Sequence, residues 1–170
     1  GPSLVLARPS RGMQDPLAWA ASALPGGSPG AAELEPPNPR AGVVINEVLA
    51  HSPGTDFIEL YNSSAGAVDL SGCILTDSPA AAKYTFAPGT SIPANGILVR
   101  SETELGFAPH ATGDTLYLKS PDGTRVLDAV RFGAQENGVT SGRSPNGVRG
   151  WAPLASATPG GENSFVRRGE

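Results

Sequence analysis

The stretch Val43–Asp77 reads VVINEVLAHSPGTDFIELYNSSAGAVDLSGCILTD. Val43–Ala50 is a β-branched run that carries the pair Asn46-Glu47. A loop containing Gly54 follows. Asp56–Asn62 then alternates, with Phe57, Glu59 and Tyr61 on one face and Ile58 and Leu60 on the other. Alternation over so few residues is the period of a half-buried strand. Ala67–Leu70 and Cys73–Thr76 are two shorter strands around the Ser71-Gly72 turn.

The same pattern continues downstream. Lys83–Ala87 and Ser91–Ile92 flank Pro88-Gly89, and Gly96–Ser101 follows Ala94-Asn95. Thr115–Ser120 puts Leu116 and Leu118 on one face. Pro121-Asp122-Gly123 is a turn signal, after which Arg125–Phe132 returns with Val126, Val130 and Phe132 on one face. A short strand is expected near Thr140–Ser144, then a strap with the Trp151 ring laid on the sandwich. No segment shows sustained helical periodicity and no βαβ pattern occurs. The expectation is an all-β sandwich of seven to nine short strands over residues 43–164, with a C-terminal tail at 165–170.

Residues 1–42 differ, holding eight prolines and six glycines. Proline removes backbone donors and glycine maximises backbone entropy, so this part reads as a Pro/Gly-rich linker or the end of a preceding domain. A short helical turn at Leu17–Leu24 is the most it is expected to form. Trp19-Ala20-Ala21-Ser22-Ala23-Leu24-Pro25-Gly26-Gly27 echoes the later run from Trp151 to Gly161. Shared origin and compositional bias both account for the echo. Gly1-Pro2 has the look of a protease-cleavage scar, so the chain is expected to be a fragment of a longer protein.

Composition narrows function. Twelve Lys and Arg stand against 16 Asp and Glu, giving −4, and no basic stripe appears. Binding to a phosphate backbone needs clustered cations, so specific nucleic-acid binding is not expected. The single cysteine, Cys73, excludes an internal disulfide and a thiolate zinc cluster. No apolar run is long enough to span a bilayer, so no membrane insertion is expected, and the N-terminus lacks a signal-peptide pattern.

In order and spacing the motifs resemble the lamin-tail domain family, whose fold is an immunoglobulin-like β-sandwich. The resemblance rests on Ile45-Asn46-Glu47-Val48, Phe57-Ile58-Glu59-Leu60-Tyr61-Asn62, Val68-Asp69-Leu70-Ser71-Gly72 and Leu75-Thr76-Asp77. It continues through Ile92-Pro93-Ala94-Asn95-Gly96, Asp114-Thr115-Leu116-Tyr117-Leu118 and Val126-Leu127-Asp128-Ala129-Val130 to Phe132-Gly133. It closes on Gly142-Arg143-Ser144-Pro145-Asn146-Gly147, Trp151 and Thr158-Pro159-Gly160. Cys73 stands where relatives commonly have Trp, which leaves volume for another side chain to fill. The rod-like coiled coil of nuclear lamins has no counterpart here, since no heptads occur.

Glu47, Glu59, Asp69, Asp77 and Asp128 fall in or beside predicted strands. A calcium site would draw on Glu47, Glu59 and Asp77, but no Asp-x-Asp-x-Asp loop is present, so the expectation is no metal and no cofactor. Asn46, Asp69, Gly72, Asp128 and Trp151 are read as structural. Asp128 shares a face with apolar residues and needs partners if buried. His51 and His110 lie in loops without a Gly-x-Ser-x-Gly elbow, so no catalytic residue is expected. Tyr61, Tyr84, Phe86, Phe107, Tyr117 and Trp151 would make a sugar-stacking platform if exposed together; Tyr117 fits either core or ligand contact. Asn62-Ser63-Ser64 matches a glycosylation sequon.

The resemblance implies a non-enzymatic module of a larger secreted or surface bacterial protein. Its work would be protein interaction, adhesion or domain spacing, and its partners a protein or glycan at the cell surface and other domains of the parent chain. The alternative is a carbohydrate-binding module, or an accessory to a hydrolase or nuclease in the same chain. The charge pattern generates one test: in a gel-shift assay at physiological ionic strength, duplex DNA should show no tight, salt-sensitive binding. A salt-sensitive shift would contradict it.

Overall fold

A computed structural model describes residues 2–6, 14, 19–25 and 38–167. Two compact units divide the chain, Gly1–Pro39 and Arg40–Glu170, so the boundary falls three residues before the expected 42/43. In the first unit, Pro2–Leu6 (β1) pairs antiparallel with Trp19–Pro25 (β2), Leu6 opposite Trp19. From Trp19 onward the expected helical turn is therefore a strand; pairing with β1 overrides the weak local preference. Most of the expected linker lies outside the described residues.

The described residues of the second unit form eleven strands and one helical turn. Five of the strands have only two residues, which is why they exceed the expected seven to nine. One sheet runs in the order β11-β10-β6-β7, formed by Val126–Gly133 (β11), Gly113–Lys119 (β10), Ile74–Thr76 (β6) and Tyr84–Thr85 (β7). The other runs β13-β12-β3-β4-β9, formed by Ala152–Pro153 (β13), Ser141–Gly142 (β12), Val43–Leu49 (β3), Phe57–Asn62 (β4) and Ile97–Ser101 (β9). Val68–Asp69 (β5) and Ser91–Ile92 (β8) form a separate two-stranded pair.

Between the sheets lies a single apolar core. Ile45, Val48, Ile58 and Leu60 come from one sheet; Leu75, Leu116, Leu118, Val130 and Phe132 come from the other. Alternation accounts for these positions, since every second residue of a strand points the same way. Cys73 lies in this core, and its carbonyl accepts from the amide of Phe86, itself a core ring.

Two bulges interrupt the alternation. Ile45 pairs with Leu60 and Glu47 with Glu59, leaving Asn46 as the extra residue of β3. Leu118 pairs with Asp128 and Lys119 with Val126, leaving Leu127 as the extra residue of β11. A bulge reverses which face the following residues present. Val126, expected on the core face, is accordingly exposed, and Leu127 takes a buried place.

The helical turn Glu102–Leu105 (α1) was not expected, because one turn is too short for periodicity to show. Its ends were nevertheless written in the sequence. Ser101 and Glu104 form a capping box, and Gly106 closes the turn in the left-handed conformation.

The short strand β12 covers only Val48 and Glu47 of β3. Side chains complete that edge at both ends. At one, the Gln135 side chain accepts from Ala50 N at 2.7 Å and donates to Val48 O at 3.0 Å. At the other, Asp128 Oδ2 accepts from Ile45 N at 2.8 Å while Arg143 Nε donates to Ile45 O at 2.8 Å. Arg143 and Asp128 then pair with each other at 3.0 Å, both nearly removed from solvent. Gly142 is needed where β12 meets β3: a Cβ there would lie 2.7 Å from Asn46 O and 2.8 Å from Leu154 Cδ1.

Removing one member of a buried, hydrogen-bonded ion pair strands the other charge, at a cost of about 3–5 kcal/mol. Arg143→Met should lower the unfolding free energy by about that amount in urea titration, and Asp128→Leu in the same chain should recover most of it. A loss below about 1 kcal/mol in the single variant, the level of an exposed pair, would show that the pair does not hold the sheets.

Candidate functional site

The expected ligand and metal candidates fall in two places. The first is the outer face of the four-stranded sheet. Leu116 and Leu118 of β10 point into the core, so Thr115, Tyr117 and Lys119 point outward. Tyr117 is half-buried, opposite Ala129 on β11 and Thr76 on β6. Thr115 lies opposite Arg131, and Gly113 opposite Gly133. A groove of about 600 Å³ runs along this face, lined by Asp77, Asp114, Thr115, Tyr117, Arg131 and neighbouring backbone.

The groove's polar groups are partly committed. Asp114 accepts from Thr115 N at 2.7 Å and His110 N at 3.2 Å, which fixes its carboxylate. Lys83 Nζ donates to Asp77 Oδ2 at 2.6 Å and lies over the Phe107 ring. Asp77 Oδ1 is buried and has no donor. Arg131 is exposed and forms no hydrogen bond or ion pair among the described residues. Its outward face follows from the alternation of β11, while its place opposite Thr115 is set by strand pairing.

The second place is the outer face of the five-stranded sheet, covered by residues 155–164. Glu47 and Glu59 sit opposite each other there, and both are fully buried. Thr158 donates to Glu47 through its backbone N at 3.1 Å and its Oγ1 at 3.0 Å. Glu59 accepts from Asn46 Nδ2 and from Gly160 N, each at 2.8 Å. Asn46, freed by the bulge, also accepts from Gly147 N through Oδ1 at 3.0 Å. Asn163 Nδ2 clamps the strap by donating to Asn46 O and Arg143 O. Arg143, Thr158 and Asn163 were missed as partners because each is more than 80 residues from the strand it completes, and sequence carries no local sign of such a contact.

Burial acts on these acids. Loss of water raises the Glu59 carboxyl to about 7, helped by the neighbouring Glu47 charge and opposed by its hydrogen bonds from Asn46 and Gly160. Burial likewise raises Glu47, against the bonds from Thr158; the Thr140 hydroxyl is close enough to lower it, though outside hydrogen-bonding geometry. Asp128 is raised by burial and held back by the Arg143 guanidinium and the Ile45 amide.

The three calcium candidates do not meet. Glu47 and Glu59 share one sheet under the strap, while Asp77 follows β6 of the other sheet and takes Lys83 as its cation. Among the described residues no group of three or more His, Cys, Asp or Glu is placed to hold a metal. The expected aromatic platform is also dispersed. Phe86 is core; Tyr84 and Phe107 pack partly buried against it; Tyr61 lines a different groove with Asn95 and Asn146. Trp151 is half-buried, with its ring over the Arg143 guanidinium at 5.8 Å. It precedes β13, and the strap itself is held by Thr158, Gly160 and Asn163.

Asp69 caps its turn, accepting from Ser71 N at 2.8 Å; the Ser71 hydrogen bonds lower its carboxyl. Gly72 follows at φ 73°, a conformation that favours glycine. The Asn62 sequon is closed: Nδ2 is engaged with Gly66 O, Ile92 O and Pro93 O, and the residue is fully buried. His51 and His110 are exposed on loops, and Cys73 is buried.

A family model described as the lamin tail domain matches residues 36–134. The match ends before β12, Arg143 and the strap, which the motif resemblance had included. No curated protein and no solved structure matches the chain.

The raised Glu59 carboxyl sets a sign for stability against pH. Its ordinary value is 4.5 and its folded value about 7, so between the two the folded chain holds the extra proton. That contribution is whole below the unfolded value and is lost as pH rises through the folded one. The melting temperature should therefore fall between about pH 5 and about pH 8, and Glu59→Gln should fall less steeply over the same range. Parallel profiles for the two proteins would show that Glu59 is not the group responsible.

Proposed function

This chain belongs to the lamin tail domain family, and from that premise we propose that it is a non-enzymatic module of a larger secreted or surface bacterial protein, working in adhesion or protein interaction. The observation that carries this reading is the contrast between its two outer sheet faces. On one, Glu47 and Glu59 are buried beneath the strap and engaged by Thr158, Asn46 and Gly160, so these shifted acids hold the chain together and face no substrate. On the other, a groove is left open with an uncommitted Arg131 and a half-buried Tyr117. Ordinary acid–base chemistry needs a shifted group within reach of a bound substrate, and Glu47 and Glu59 are covered by the strap.

The composition supports a partner other than nucleic acid, since the charge is −4 and the open groove holds two aspartates. No helix among the described residues is long and apolar enough to cross a membrane. Neither a metal nor another cofactor enters the reading. The second reading, an accessory carbohydrate-binding module beside a catalytic domain, draws on the same groove and differs only in what the parent chain carries.

Surface display is directly measurable. Intact source cells treated with a non-penetrating protease should lose the epitope recognised by an antibody raised against this chain. Epitope fully protected in intact cells and recovered only in the soluble lysate would overturn the surface assignment.

A further inference from the structure

We infer that the groove on the outer face of the four-stranded sheet is a glycan-binding site centred on Tyr117 and Arg131. This rests on the adhesive reading and supplies the class of ligand.

Register builds the site. Tyr117 stands on β10 with Ala129 beside it on β11, so a small neighbour leaves the ring uncovered on that side. Gly113 and Gly133 pair at the end of the same face, and no side chain rises there. A Cβ on Gly133 would meet nothing within 4 Å, so the space above it is open. The result is a shallow floor with one aromatic ring, about 600 Å³ in extent, in the range of small-ligand sites.

The groups around that floor match a polyhydroxylated ligand. An aromatic ring packs against the apolar face of a sugar while polar neighbours take its hydroxyls. Asp114 is fixed by two backbone amides, which pre-orients a carboxylate to accept hydroxyl donors. Asp77 is fixed by Lys83, its side chain only 8% exposed, and its Oδ1 has no donor. A buried acceptor without a donor is costly, and a hydroxyl is the donor it lacks. Arg131 offers its donors to ring or hydroxyl oxygens and has no competing partner among the described residues.

Other ligands fit less well. Two carboxylates beside one arginine repel a phosphate or a polyanion. An extended peptide gains most of its affinity from a strand edge, and here β10 is paired on both sides by β6 and β11, so the groove offers a face and no free ladder.

The intact chain can be run through native gels containing xylan, hydroxyethyl cellulose, galactomannan or soluble peptidoglycan. At least one polymer should retard it relative to a polymer-free gel. Tyr117→Ala should weaken that binding about tenfold or more. Gly133→Val should do so by filling open space, and because no atom is in its way its melting temperature should stay at the wild-type value. Arg131→Gln should weaken the binding while leaving the fold unchanged. Retardation by none of the four polymers, or retardation equal in wild type and variants, overturns the inference. So does a peptide array bound in place of the polymers and lost in the same variants. In each of these cases protease-sensitive display on intact cells would leave the surface module standing, so the two failures are distinguishable.

Discussion

The buried pair of Arg143 and Asp128 is the constraint on which the arrangement depends. Both groups bond to the same residue of β3, Asp128 to the Ile45 amide and Arg143 to the Ile45 carbonyl. Asp128 belongs to the facing sheet, so the pair ties one sheet's side chain to the other's backbone. Arg143 further donates to Val148 O at 2.8 Å, which brings in the loop after β12. Two buried charges would ordinarily weaken a core. Here each also satisfies a backbone group that β12 is too short to reach, and that second duty separates this pair from a mere ion pair.

The bulges decide what lies beside this pair. With Asn46 inserted in β3, the strand's register shifts between Ile45 and Glu47, and Glu47 comes to lie opposite Glu59. Like charges directly across strands are unfavourable in water. The strap resolves the conflict by burying both and supplying amide and hydroxyl donors, at the cost of raising both carboxyls. One face of the five-stranded sheet is thereby closed. Asp128 points inward in unbroken alternation with Val130 and Phe132, the bulge at Leu127 turns Val126 outward, and Arg131 takes the outer face.

Closing one face and leaving the other open is what gives the domain a polarity. The strap face carries the unusual acids, yet they are committed to the chain's own atoms. The groove face carries ordinary residues in an ordinary register, and there the polar groups are left incompletely matched. A module that recognises something outside itself needs the second kind of surface, and rigid strands are a better support for it than loops.

The sequence by itself determined the all-β class, the approximate strand positions and most of the core, because alternation in runs such as Thr115–Ser120 or Asp56–Asn62 is a local property of the strand period. It put Leu116 and Leu118 on one face for the same reason, but left Tyr117 open between core and ligand contact until the fold turned it outward. It could not show that the outward Glu59 would be buried, since that depends on a strap about 100 residues away. Nor could it separate Asp77 from Glu47 and Glu59, because which strands share a sheet is decided by pairing. Val126 and Leu127 exchanged their expected roles at a bulge that no residue pattern announces. Arg143 read only as part of a closing motif until the fold set it against Asp128 and Ile45. Local periodicity specifies which face a residue takes; only long-range packing decides what that face meets.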